Sequence, residues 1–338
     1  MSVAAVGAVT AAGDDIESTS AAIRAGLGAF RLEPRFMLSG EDPAWDPPEP
    51  LRAARAIAVG PRVEGPDRLV ALSKHALEQL AARGPLSRAE LRETGLYVAV
   101  ASSRDAPPGW SMDGFGARLV QSLGIEVAAM ETVAAGYVSA LVAIDEARRA
   151  IGEGRVRRAV VLAVDSYLSR DRIALYDERE RLRSRRARDG FVPGEAAVAL
   201  LLVNGESGAG APSTGPLGLA HEAHPRDSDR GPEGRALEQA IRTAVGKGLP
   251  PRWVLCDMNG ESGRAFEWGV ARTRSPLLSD VQWLEHPAAL VGDVGAATGA
   301  LLVGLAHDRA RAGVAPASSG LVVCSSDDGA RAAMLLSG

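Results

Sequence analysis

The stretch Asp189-Gly190-Phe191-Val192-Pro193-Gly194-Glu195-Ala196 decides how this chain is read, and it runs directly into the apolar segment 196–203 (AAVALLLV). That segment is apolar throughout, as a strand covered on both faces requires. Before it, beyond a charged excursion, segment 159–164 (AVVLAV) reads the same way. A largely apolar helical pattern over 134–152, broken by Gly154, precedes that strand. The C-terminal part repeats the order: a helix pattern over 296–312, then strands at 321–324 (LVVC) and 330–336 (ARAAMLL). A Gly/Ser/Pro-rich break at 204–218 lies between the two sets. Helix–strand–strand, once on each side of a break, suggests a duplicated architecture with a pseudo-twofold axis. The alternative is chance, since this order is common in α/β proteins.

Toward the N-terminus, 2–9 reads as a strand, and a Gly13-Asp14-Asp15 turn leads to a helix over 16–25 that Asp14 or Asp15 is placed to cap. Residues 38–66 are proline-rich without periodicity and read as a long surface excursion. Residues 69–82 carry a helical period, and 94–101 (TGLYVAVA) is a short apolar strand.

The 338 residues, 46% hydrophobic and 24% charged, have the balance of an ordinary globular protein with a sizeable core. A net charge of −4 gives no electrostatic footprint for nucleic acid or an anionic membrane. Lys74 and Lys247 are the only lysines, so positive charge is almost wholly arginine. Two cysteines, Cys256 and Cys324, exclude a disulfide scaffold or a CxxC metal site, and no metal or cofactor is expected. No apolar run approaches the roughly 20 residues that span a bilayer, and the start lacks a signal-peptide pattern. A cytoplasmic protein is expected.

The stretch beginning at Asp189 resembles the DGFVxGEG signature of the β-ketoacyl synthases, members of the thiolase superfamily, and stands where they carry it. Upstream, Ala140, Leu141, Ala143, Ile144, Ala147, Ile151 and Gly154 follow the spacing of the helix that begins at their nucleophile. Downstream, Gly292-Asp293-Val294-Gly295-Ala296-Ala297-Thr298-Gly299 is similar to their GHxxGAAG loop, and Asn259-Gly260-Glu261-Ser262-Gly263 stands at HGTGT. The resemblance covers nearly the whole chain. It implies the duplicated five-layer α/β/α/β/α fold, with halves 1–208 and 209–338 forming one integrated unit.

The resemblance also exposes what is missing. Condensation needs a thiolate to hold the acyl group and imidazoles to stabilise the enolate oxyanion. Counting back from Gly154 puts Tyr137 at the cysteine position, whereas matching the Ala-Gly-aromatic run puts Ala134 there; neither supplies a thiol. Asn259 and Asp293 stand at the two histidines. An ionised aspartate only accepts hydrogen bonds and would repel an enolate. The final glycine-rich turn reads Cys324-Ser325-Ser326-Asp327-Asp328-Gly329. Ordinary Claisen condensation is therefore not expected.

Asn259, Glu261, Glu267 and Asp293 would converge if the family's loop geometry holds, either for acid/base or cation-binding work or merely as caps and turns. Tyr137 plugs the acyl tunnel or offers a phenol. Ser139, Glu261 and Phe191 are further candidates around a bound group, and both cysteines read as buried and structural. The cluster 181–188 (RLRSRRAR) is either a solvated helix face or, with Arg183 and Arg186, a docking patch for an acidic acyl carrier protein.

Three functions follow from the resemblance. The first is a non-condensing partner subunit, chain-length-factor-like, in fatty acid or polyketide-type biosynthesis. The others are a divergent acyltransferase or thioesterase using the same cleft, and a non-catalytic scaffold. The family dimerises through the strand matched to 94–101, which implies a homodimer or a heterodimer with an active ketosynthase.

Overall fold

The computed structural model describes residues 1–40, 47–84, 86–107, 109–205, 212–226, 228 and 230–337. The first half runs β1 (Ser2–Thr10), α1 (Ile16–Arg24), a hairpin of β2 (Arg31–Leu38) and β3 (Glu49–Ala53), then α2 (Gly65–Arg83), α3 (Arg88–Leu91) and β4 (Thr94–Val100). It continues with α4 (Phe115–Leu123), β5 (Ala129–Ala134), α5 (Ser139–Gly152), β6 (Arg158–Ser166), α6 (Arg170–Glu178) and β7 (Glu195–Val203). The second half runs β8 (Ser213–His221), α7 (Arg235–Val245), β9 (Trp253–Cys256), α8 (Ser262–Arg274), β10 (Trp283–Glu285), α9 (Ala288–Val291), α10 (Thr298–Arg311), β11 (Ser319–Ser325) and β12 (Ala330–Ser337).

The strand order, β5-β4-β6-β7-β1-β8-β12-β11-β9-β10, is the same from either end once each strand is exchanged for its counterpart. In each half two parallel pairings are followed by two antiparallel ones, and the halves meet where Ser2 pairs with Ser213. Side chains carry the same duplication. A Cβ on Gly7 of β1 would collide with the carbonyl oxygen of Ala76 in α2, and a Cβ on Gly218 of β8 would collide with that of Ala240 in α7. Both sites need glycine because a helix backbone lies directly on the strand.

The strands lack polar alternation because each face meets a helical layer. In β7, Ala196, Val198, Leu200 and Leu202 face the central core, and Ala197, Ala199 and Leu201 face the outer core beneath α2 and α4. The central layer is α5 and α10, each 14 residues long, which touch strands of both halves. α7 packs over the outer face of the second half, with Trp268 of α8 in the same core. These are the five layers α/β/α/β/α. A fourth cluster joins the β2–β3 hairpin to Tyr167, Tyr176 and Phe191.

Several expectations need correction. The helix expected over 134–152 starts at Ser139: Ala134 ends a strand and Gly136 sits at φ 65°, so the apolar pattern runs across a strand–turn–helix boundary. The break at 204–218 holds the start of β8, whose register with β12 shifts where Gly215-Pro216 falls, so the proline needs no ladder donor. The excursion 38–66 contains β3. Strand 94–101 is not an edge, because β4 is paired on both sides and β5 is the outermost strand. Segment 181–188 is irregular rather than helical. The division between 208 and 209 lies outside the described residues.

Candidate functional site

The two halves present equivalent turns at the ends of the central helices: 136–138 leads into α5 and 295–297 into α10. Each begins with a glycine at positive φ, 65° at Gly136 and 51° at Gly295. The backbone around Pro193 fixes the second turn from the first half. Asp293 N donates to Val192 O at 2.8 Å, and Gly194 N donates to Asp293 O at 2.8 Å. Glu195 then anchors the strand behind it, gripped by Arg68 Nε at 2.6 Å and Nη2 at 2.5 Å and reached by Ser166 Oγ at 2.7 Å.

Tyr137, Asn259 and Asp293 meet at this junction. Tyr137 donates its hydroxyl to Asp293 Oδ2 at 2.7 Å, and Asn259 Nδ2 reaches the same oxygen at 2.6 Å. The other Asp293 oxygen caps the turn by accepting from Gly295 N at 2.8 Å. The Tyr167 hydroxyl lies 2.9 Å from that of Tyr137. Tyr137 and Asp293 are 3% and 2% exposed, so substrate has almost no surface to touch there.

An ion cluster closes the adjoining space. Arg181 grips Glu261 with two bonds of 2.9 Å and reaches Asp327 at 2.5 Å. Arg264 bonds Asp257 at 2.7 Å and Asp327 at 3.2 Å, and its guanidinium lies 4.1 Å from the centre of the Tyr137 ring. Arg226 adds a 2.6 Å contact to Glu261. Burial alone would raise the Glu261 and Asp327 carboxyls, but the arginines outweigh it and hold both below their ordinary range. Burial raises Asp293, against the pull of Arg264, Asn259 and Tyr137. It also pushes the Tyr137 phenol well up, with Asp293 adding to the effect, so Tyr137 is a fixed donor and not a base.

The comparisons agree with this architecture. Residues 74–207 match the family model "Beta-ketoacyl synthase, N-terminal domain". The ishigamide ketosynthase/chain length factor superposes with a TM-score of 0.71 at 18% identity, over 99% of this chain and 98% of its own. The chain therefore has the fold of that protein. Two more solved structures are similar to the chain. A ketosynthase in complex with its chain length factor, from Xenorhabdus doucetiae, gives 0.76 at 16% identity over 99% and 97% of the two chains. A type II polyketide acyl-carrier protein in complex with its ketosynthase bound to the hexaketide gives 0.77 at 14% identity over 100% and 98%. No curated protein sequence matches the chain.

In this chain the remaining candidates divide clearly. Ala134 ends β5 and packs toward the outer core, away from Asp293. Ser139 is fully buried, donates to Val100 O at 2.7 Å and accepts from Ala135 N. Phe191 packs against Tyr167 and Tyr176 in the hairpin cluster. Glu267 does not join the polar set, because Arg331 holds it at 2.5 Å. Burial raises the Cys256 thiol to about 12 and pushes Cys324 well up, so neither offers a thiolate at neutral pH.

The arginine segment splits as well. Arg181 is buried, and Arg186 donates to Asp177 O at 2.8 Å, so neither is part of a free surface patch; Arg183 is exposed. A 470 Å³ cleft opens beside the junction, with Asn259, Gly260 and Glu261 along its wall and Arg183 at its edge. Arg264, Asp257, Arg226 and Tyr167 are site residues that pattern reading missed. Arg264 sits on a helix of otherwise unremarkable polarity, and only its position relative to Asp257 and Asp327 marks it.

Proposed function

We propose that this chain is a non-condensing partner subunit that pairs with a cysteine-bearing ketosynthase in fatty acid or polyketide-type biosynthesis. The observation that carries the reading is the closed junction. Tyr137 stands at the turn where the family's nucleophile is expected, its hydroxyl is committed to Asp293, and ion pairs occupy the neighbouring space. Asn259 and Asp293 replace the two histidines in this reading, and Tyr137 rather than Ala134 marks the lost cysteine, because only Tyr137 reaches Asp293. Without thiolate or imidazole, neither acyl capture nor enolate stabilisation has a carrier. The likeness to a ketosynthase bound to its chain length factor and to a ketosynthase bound to an acyl-carrier protein supports the same assignment.

Assembly is proposed along β5, which among the described residues pairs only with β4 and leaves Ala129, Met130 and Glu131 exposed. An acyl carrier protein then serves the assembled pair, since Arg186 is tied down and the basic patch on this chain is smaller than the sequence suggests. A hydrolase or acyltransferase in the same crevice requires Asp293 to reach a thioester, and its burial opposes that.

Co-expression with a cysteine-bearing ketosynthase from the same organism tests the proposal. A one-to-one complex is expected, with protection from hydrogen exchange appearing at the β5 amides. The separate chain should release no thiol from acyl-CoA or acyl-carrier thioesters and gain no acyl mass. Thioester turnover by the chain alone, abolished in Asp293→Ala, would overturn the reading in favour of the hydrolase.

A further inference from the structure

The 470 Å³ cleft beside the junction is not used by the partner-subunit reading, and its chemistry differs from that of the junction. Its volume falls within the roughly 300–1,000 Å³ of small-molecule sites. Phe30, Val192, Met258, Ala265 and Ala288 give its lining an apolar part. The charge in the rest of the lining is unbalanced. Glu261 contributes a carboxylate, but Arg181 and Arg226 already answer it. Arg52 and Arg183 also line the cleft, and among the described residues neither guanidinium has an ion-pair partner. Arg52 lies over the Phe30 ring at 5.3 Å, so the ring supports it. Gly260, at φ 108°, lies beside Arg183, whose Nη1 is 4.0 Å from where a Cβ would stand. Two uncommitted guanidinium forks in a partly apolar lining form an anion site with an apolar extension.

We infer that this cleft binds a small amphipathic anion, with a carboxylate or phosphate head held by Arg52 and Arg183 and a short aliphatic tail against Phe30, Val192 and Met258. Binding is non-covalent, and no bond is made or broken. The head could belong to a free acyl acid or to a phosphorylated compound, and the forks suit both. The inference goes beyond the partner-subunit reading and is independent of it.

Calorimetric titration of the full chain, alone and in complex with its ketosynthase, tests the site with octanoate, octyl phosphate, octanol and inorganic phosphate. Octanoate or octyl phosphate should bind one-to-one and at least tenfold more tightly than octanol or phosphate, and the tighter of the two identifies the head group. Arg52→Ala and Arg183→Ala should each weaken it by about tenfold, the expected effect of losing a hydrogen bond to a charged group. Ala288→Trp, which fills the cleft, should abolish binding while both arginines remain. Equal affinity for octanol, unchanged affinity in an Arg52→Ala/Arg183→Ala double variant, or no saturable heat at millimolar ligand would each overturn the inference. Because the isolated chain is one arm, failure here leaves complex formation untouched, and a missing complex leaves this result standing.

Discussion

Asn259 and Glu261 stand between two regions that share a wall and differ in how charge is handled. On the junction side nearly every charge has a close partner: Arg181 with Glu261 and Asp327, Arg264 with Asp257 and Asp327, Asp293 with Tyr137 and Asn259. On the cleft side Arg52 and Arg183 face open space. Buried ions need their partners to offset lost hydration, whereas exposed ions do not. The junction is therefore built to stay shut, and the cleft is free to accept something from solution.

The largest effect should come from Arg264→Met. It leaves Asp257 and Asp327 short of their buried counter-charge, and a loss of about 3–5 kcal/mol is expected in denaturant unfolding. A shift below 1 kcal/mol would erase the contrast between the two regions.

Acid provides a second measure, with a buried group outside both regions setting the scale. Burial lowers His307 from 6.5 to about 4. The unfolded chain takes up that proton first, so stability is complete above pH 6.5 and falls as pH drops toward 4, by about 3 kcal/mol. His307→Leu should flatten this limb of a pH–stability curve. Below it the junction itself should loosen, because Glu261 and Asp327 have folded values below their unfolded ones and their contribution is lost as pH falls beneath the ordinary carboxylate range.

Tyr137→Phe keeps the ring beneath Arg264 and removes the hydroxyl's bonds to Asp293 and Tyr167, so about 1.5–3 kcal/mol should be lost in the same unfolding assay. The smallest effect belongs to the cleft. Arg183→Ala should change unfolding by no more than about 0.5 kcal/mol, as for surface positions without committed contacts. A large loss there would mean that the cleft arginine is part of the scaffold after all.

The sequence revealed the layers better than the junction. Segments such as 159–164 and 196–203 are long apolar runs whose two faces are both covered, and nothing else produces that pattern so directly. β8 was hidden because Gly215 and Pro216 resemble a break until the register shift that accommodates them is seen. Tyr137 and Ala134 were not separable, since both lie in an apolar run and only three-dimensional reach distinguishes them. The run RLRSRRAR reads either as a solvated helix face or as a docking patch, and neither fits: Arg181 is buried, Arg186 is bonded inward and Arg183 faces the cleft. Identical side chains acquire different roles from partners 80 or 146 positions away.

The backbone clasp between Val192, Gly194 and Asp293 has a consequence for how such chains are recognised. Its two amide bonds are indifferent to the side chain at 293, and the Glu195–Arg68 anchor behind them is fully buried. The stretch 189–196 is thus joinery, and it holds the fold together whatever chemistry the junction does. A search keyed to those letters retrieves a shape, and whether a worker still stands at the bench must be asked of other positions.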